Sequence, residues 1–456
     1  MSSILASQRG KESWGEQLLP GLDFGASEMK IISTAERPIN LLQIIGGSIV
    51  GGMETYVLRL LRRLPRDSFR VTCLCLAESD ITESLRSMGC SVHITPLTDD
   101  PDWQSIQLGV SLIRVESIDV IHAHLPNAHL LAGILSKFTE RPALATIHGR
   151  YLSLRDVEVH KIAQTHISVV AKTAYFHALS LGVPASKLCF IANGVDTKVF
   201  HPAPKSNYLH SIFNLPPETS LIGFVGRLSP EKGPDVFVHI ASLIQKQMQN
   251  CHFVLVGEGA MRKKLENEIA DLGLGDRVHL AGLLIDMPKV YASLDLVVST
   301  SYSEAMPLAI IEAMASGLAV VSTNVGGNVD IIEAGRTGLL NKVGDVKGMA
   351  SDIVTLMSNP TMRTEMGKAA RKRAKEKFEL NESVSQTSEL LSSLAKMRTK
   401  TRYDSELSIE TRDGDVKKAL ELSSSMGSQI PPATGARAPQ DGLGQRRRNK
   451  PSSPEA

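Results

Sequence analysis

Short runs rich in β-branched residues, separated by helix-length amphipathic stretches, recur from residue 39 to residue 340. This alternation constrains the fold more than any other feature. The first set is INLLQII (39–45), RVTCLCL (70–76), IDVIHA (118–123), ALATIH (143–148), THISVV (165–170) and KLCFIAN (187–193). Strands covered on both faces read as continuous apolar runs, and parallel strands need crossovers of about helix length. A Pro-marked stretch, Phe200-His-Pro-Ala-Pro204, then interrupts the pattern as a linker would. It restarts with LIGFVG (221–226), HFVLVG (252–257), RVHLAG (277–282), LDLVVST (294–300), AVVST (319–323) and GLL (338–340). The expected fold is therefore α/β, with two doubly wound, Rossmann-like domains facing a cleft. The reading places an aperiodic, disordered extension at 1–37, an N-terminal domain at 38–203 and a C-terminal domain at 204–380. Helical periodicity at Val384, Leu390, Leu391 and Leu394 marks a closing helix over 381–398, and 399–456 is a largely disordered tail.

The 456 residues carry 50 Lys+Arg against 48 Asp+Glu, a formal charge of +2, which argues against a dedicated nucleic-acid binder. The small excess belongs to residues 423–456, where Arg437, Arg446, Arg447, Arg448 and Lys450 face only Asp441 and Glu455. Cysteines stand at 73, 75, 90, 189 and 251 with no CxxC pair, so neither a structural zinc nor a disulfide framework is supported. No signal-peptide core and no run of 18 apolar residues occurs. The expectation is a cytoplasmic chain whose membrane role, if it has one, is peripheral at the inner face.

The chemistry-bearing residues fall directly after strands, where ligands sit in such sheets. Ser303-Glu304-Ala-Met-Pro307-Leu-Ala-Ile-Ile-Glu312 puts one carboxylate in a strand-to-helix loop and another about a turn inside the helix. Pro307 suits the first helical turn, and the free N–H groups beside it suit a phosphate. Gly226-Arg227-Leu-Ser-Pro-Glu-Lys232-Gly233 offers a guanidinium and an ammonium from one loop, able to converge on a pyrophosphate. Gly46-Gly47-Ser-Ile-Val-Gly51-Gly52 allows close backbone approach to a ligand, or simply a tight turn; it matches neither GxGxxG nor a P-loop. His122, His124 and His148 match metal ligands in type but have no acidic partner at usable spacing. A structural role is expected for His122 and His124, and ligand contact for His148. DxD pairs at Asp100/Asp102 and Asp413/Asp415 are discounted as chance matches.

Together GGMET (51–55), HAH (122–124), TIHG (146–149), ANGVD (192–196), GRLSPEKG (226–233), VGEG (256–259), SEAMPLAIIEAMASG (303–317) and VSTNVGG (321–327) resemble the retaining glycosyltransferases of family 4, which have the GT-B fold. The resemblance runs in order over residues 39 to about 395. It implies a nucleotide-diphosphosugar donor, with Arg227 and Lys232 on the diphosphate, assisted by backbone amides near Met306 and Leu308. Glu312 would take the ribose hydroxyls, Glu304 those of the transferred sugar, and the backbone around Leu283, with Glu258 nearby, the base. Gly51 and Gly52 would approach the diphosphate, and His148 the sugar near the reacting centre. The resemblance further implies no metal, no cofactor beyond the donor, and same-face attack without a protein nucleophile. Ala305, Ala319, Ala192 and Asp330 depart from the family's common Gly, Pro, Pro and Glu, and none removes a polar group named above.

On the acceptor side, a helix over 53–66 would carry Arg59, Arg62, Arg63 and Arg66 opposite Val57, Leu60, Leu61 and Leu64, with Arg70 continuing the spacing. Such a basic face can be a solvated surface or can attach to anionic lipid. Because many members of the family glycosylate lipid-linked acceptors, membrane docking is the expectation, with a lipid-linked or polysaccharide glycan as acceptor. Two other readings share the fold: a nucleotide-sugar 2-epimerase and a non-catalytic nucleotide-sugar sensor. The first lacks the paired Glu with GRLxxxKG, and the second requires a lost donor-binding residue.

Overall fold

The computed structural model describes residues 37–47 and 51–397. The extension before Arg37, residues 48–50 of the glycine-rich loop and the tail with Asp413/Asp415 lie outside the described residues.

The apolar runs of the first half all become strands of one parallel sheet: β1 (Ile39–Ile45), β2 (Phe69–Cys75), β3 (Ser91–Ile94), β4 (Val120–His124), β5 (Ala143–Ile147), β6 (His166–Val169) and β7 (Leu188–Phe190). Their order is β3-β2-β1-β4-β5-β6-β7. β3 is the one strand the pattern misses. It is a short edge strand with no buried residue, so Ser-Val-His-Ile leaves no apolar run to read. The second half builds β8 (Ser220–Val225), β9 (Cys251–Val256), β10 (Val278–Gly282), β11 (Leu296–Ser299), β12 (Val320–Thr323) and β13 (Leu339–Asn341), in the order β10-β9-β8-β11-β12-β13. All ladders in both sheets are parallel.

Both sheets reverse their winding at one place, between β1 and β4 and between β8 and β11. Loops diverge there, leaving a crevice at the strands' carboxyl ends, which is where doubly wound sheets bind ligands. The first helix, α1 (Gly52–Arg63), drives Met53, Tyr56, Val57, Leu60 and Leu61 into the core. It ends at Arg63 because Leu64 precedes Pro65 and is extended, with φ −62° and ψ 131°. The expected helix over 53–66 is therefore too long: Arg66 lies beyond it, and Arg70 is on β2.

Near its end the chain recrosses to the first domain. After helix Pro360–Lys377, Val195 donates its N–H to the Phe378 carbonyl at 2.8 Å and accepts from the Leu380 N–H at 3.0 Å. The closing helix, Leu380–Lys396, then buries Leu380, Val384, Leu391 and Leu394 in the same apolar cluster as α1 and β1. Among the described residues no helix is long and apolar enough to cross a membrane.

Candidate active site

β11 delivers Glu304 into the second domain's crevice. Its carboxylate is buried and accepts from Ser301 Oγ at 2.7 Å, while Lys232 Nζ donates to both Glu304 oxygens, each at 2.7 Å. Lys232 comes from the loop after β8, so the two expected motifs meet in one ion pair. Helix Leu308–Ala315 starts one residue after Pro307, which serves as its N-cap rather than its first helical residue. Glu312 faces the same crevice, and Tyr291 Oη donates to its Oε2 at 2.9 Å. Burial and the Glu312 charge push the Tyr291 phenol well above its ordinary range, so it stays a donor.

The loop after β12 supports this arrangement. Gly326 has φ +46°, and a Cβ there would run into the Glu304 carbonyl oxygen; one on Gly327 would run into that of Ala305. From the first domain, Asn193 donates through Nδ2 to the Met306 carbonyl at 2.8 Å. Arg227 is exposed at the carboxyl end of β8, and its charge reaches Glu54 of α1. Burial raises the Glu54 carboxyl, while N–H groups of the α1 start and Arg227 oppose that shift. Gly51 caps α1, and a Cβ on Gly52 would meet nothing within 4 Å. Glu258 pairs with Arg262. Leu283 and Ile285 stand 65% and 94% exposed on the loop after β10, an apolar lip to the crevice.

His148 follows β5 and is partly exposed, with the Tyr56 ring edge-on at 4.9 Å. Burial lowers its pKa to about 3, so it is a neutral imidazole at neutral pH. His122 and His124 are fully buried, and both nitrogens of each are taken by hydrogen bonds within the fold, which leaves no ligand set for a metal. Asp102 caps helix Trp103–Val115 by accepting from the Ser105 N–H at 2.7 Å, so that DxD match is structural.

The expected basic face for lipid does not form. Arg59 turns across the crevice to pair with Glu312 and lies 5.5 Å over the Phe200 ring, while Arg63 pairs with Asp196. Only Arg62 and Arg66 remain exposed without such partners among these four, and they do not share a helix. Arg59 is thus a site residue that the reading of the sequence assigned elsewhere. Its Nη1 is buried without a hydrogen-bond partner. Tyr291 and Asn193 were also missed as site residues: each reaches the crevice through tertiary contact rather than local spacing.

Comparison with known proteins agrees with this geometry. Residues 50–199 match the profile of Glycosyltransferase Family 4 and residues 207–373 that of Glycosyl transferases group 1. The UDP-Gal:alpha-D-GlcNAc-diphosphoundecaprenol alpha-1,3-galactosyltransferase of Escherichia coli is 24% identical over 335 residues, 69% of this chain and 87% of that protein. The D-inositol 3-phosphate glycosyltransferase of Paenarthrobacter aurescens is 34% identical over 274 residues, 59% of this chain and 65% of that protein. Among solved structures, Anabaena HepE in complex with UDP and glucose superposes with a TM-score of 0.69 at 23% identity, covering 78% of this chain and 100% of that one. A glycosyltransferase from Rickettsia africae gives 0.71 at 20%, covering 79% and 100%. With one profile on each domain and paired carboxylates where the two switch points meet, the chain is a glycosyltransferase: it belongs to family 4 and has the GT-B fold.

Proposed function

We propose that the enzyme moves a hexose-type sugar from a nucleotide-diphosphosugar to a hydroxyl of a lipid-linked or polysaccharide glycan, retaining anomeric configuration and using no metal. The observation that carries this reading is the Lys232–Glu304 pair, a cation and a carboxylate fixed side by side at the start of a helix. Lys232 and Arg227 bind the diphosphate, with N–H groups near Met306 and Leu308. These positive groups stabilise the charge that grows on the departing phosphate, the work a metal does elsewhere. Glu304 accepts from hydroxyls of the transferred sugar, and Glu312 from the ribose. The exposed Leu283 backbone meets the base, with Glu258 beside it, while Gly51 and Gly52 let the first domain approach the diphosphate.

His148 is neutral and reaches the sugar from the first domain. The bond between anomeric carbon and phosphate oxygen breaks, and the acceptor oxygen bonds the same face. The departing phosphate takes the acceptor hydroxyl's proton, so no protein nucleophile is needed. The acceptor class draws on the printed activity of the E. coli relative, whose acceptor is diphosphoundecaprenol-linked.

The test is incubation with a panel of nucleotide-sugars and a polyprenyl-diphosphate-linked glycan, with and without EDTA, scored by nucleotide release and product mass. Transfer insensitive to EDTA is expected. Release from no donor would overturn the reading, epimerised donor without transfer would favour the 2-epimerase, and loss with EDTA would remove the metal-free claim.

A further inference from the structure

The two histidines of His122-Ala-His124 have no part in the roles above, yet both are fully buried and joined to His148 by one chain of hydrogen bonds. Gln43, also fully buried on β1, is the link that gives the chain a direction. Its Nε2 donates to His122 Nδ1 at 3.1 Å, so His122 carries its proton on Nε2 and donates it to Thr146 Oγ1 at 2.7 Å. The other end of the same amide, Oε1, accepts from His124 Nε2 at 3.0 Å. A neutral imidazole has one donor and one acceptor. His124 is neutral, because burial and its histidine neighbours hold its pKa well below the ordinary value. Its Nδ1 is therefore a bare lone pair, and it faces His148 Nε2 at 3.1 Å. A bare nitrogen can only accept, so the proton of His148 must lie on Nε2. The opposite nitrogen, Nδ1, has no hydrogen-bond partner among the described residues, and His148 is the partly exposed member of the chain. Tyr56 packs edge-on against both rings, at 5.9 Å from His124 and 4.9 Å from His148, which holds their planes.

We propose that Gln43 and His124 are positioning residues that lock His148 as its Nε2–H tautomer, so that Nδ1 accepts a hydrogen bond from a hydroxyl of the donor sugar. This rests on the reading of His148 as the first-domain contact to that sugar. A released His148 would spend part of its time as the Nδ1–H form, which presents a donor where the hydroxyl also donates. The amide of Gln43 thereby selects what the site recognises from two residues away.

The test reads the tautomer directly, by long-range 1H–15N correlation on ligand-free, 15N-histidine-labelled full-length protein. The His148 signals are assigned by their loss in His148→Gln. The expected spectrum has a pyrrole-type Nε2 and a pyridine-type Nδ1 for His148. Gln43→Leu and His124→Leu should turn this into a mixture. His124→Asn, whose amide oxygen replaces the Nδ1 acceptor, should restore the single form and serves as the folded control. With a turned-over donor, kcat should fall about 10- to 100-fold in Gln43→Leu and in His124→Leu, the cost of one misdirected hydrogen bond to substrate, and stay near the parent value in His124→Asn, with nucleotide affinity unchanged. An Nδ1–H tautomer in the parent protein, or one unaltered in both leucine variants, overturns the proposal. So does a tautomer mixture with undiminished kcat. Because the spectrum is taken without ligand, it decides the tautomer even if no donor turns over, a result that would instead defeat the donor reading.

Discussion

Along its side chain Lys232 keeps 27% of its exposure and Glu304 only 7%, so the two partners of this ion pair depend on one another unequally. Removing Lys232 leaves Glu304 in a buried loop with Ser301 as its remaining side-chain donor. Lys232→Met is expected to cost about 1–3 kcal/mol of stability, read by urea unfolding, and about 10²- to 10³-fold in kcat. Glu304→Gln should keep the fold and lose sugar selection instead. Turnover within twofold of the parent in Lys232→Met would sink the assignment. His122 makes a different point at this scale. It is buried and neutral, with its pKa pushed down to about 3 by desolvation, to which the mutual repulsion of protonated His122 and His148 adds. The unfolded chain takes up that proton near pH 6.5, so between about pH 6.5 and 3 the unfolded state binds more protons. Stability contributed by the neutral ring is intact above this window and falls with pH through it, by about 1.4 kcal/mol per unit for each such histidine. His122→Asn should flatten the urea-midpoint slope between pH 6.5 and 5 by about one proton; an unchanged slope would contradict the burial argument.

Among the elements, the loops after β11 and β12 are built against each other. The Gly327 N–H donates to the Glu304 carbonyl at 3.3 Å, and a methyl group on Gly327 would collide with the carbonyl of Ala305. Gly327→Ala should therefore displace residues 304–306 and lower kcat/KM about 100-fold, as a shift of about 1 Å in a reacting group can. The second sheet should survive, so retained far-UV circular dichroism with retained turnover would refute the coupling. These loops also show what could be read beforehand and what could not. β1 was legible to the residue because Ile39–Ile45 packs into apolar clusters on both faces and reads as an apolar run interrupted only by Asn40 and Gln43. Glu304, Arg227 and Lys232 were legible as candidates because each lies just past a strand, and Glu312 because it stands about a turn inside the helix that follows, a local arrangement. The sharp end of α1 was available too, in Leu64-Pro65, but the spacing of the arginines drew the expected helix past it. β3 was hidden by its exposure at the sheet edge, and the partner of Arg59 stands 253 positions along the chain, where no spacing rule reaches.

At the scale of the molecule, that long-range partner matters most. Arg59 of the first domain holds the Glu312 carboxylate of the second, and Asn193 of the first holds the Met306 backbone. If Glu312 takes the ribose, the nucleotide and Arg59 compete for one carboxylate, and the domain contact is loosened as the donor enters. Arg59 has an exposed fraction of only 18%, so this contact is less screened than a surface pair, though not dry. Removing it should release Glu312 at the expense of the contact. Arg59→Met, which keeps the stem over Phe200, is expected to tighten binding of the nucleoside diphosphate of its donor about 3- to 10-fold by calorimetry, corresponding to roughly 1 kcal/mol of competing charge-assisted bonding. Arg63→Ala serves as the control: it removes an α1 ion pair that stays within the first domain, to Asp196, which is no part of the donor site, so nucleotide affinity should not change. Weaker nucleotide binding in Arg59→Met would reverse the sign of the argument. It would mean that the unpartnered Nη1 of Arg59 is satisfied by the nucleotide itself, and that the first domain helps to hold the donor rather than to exclude it.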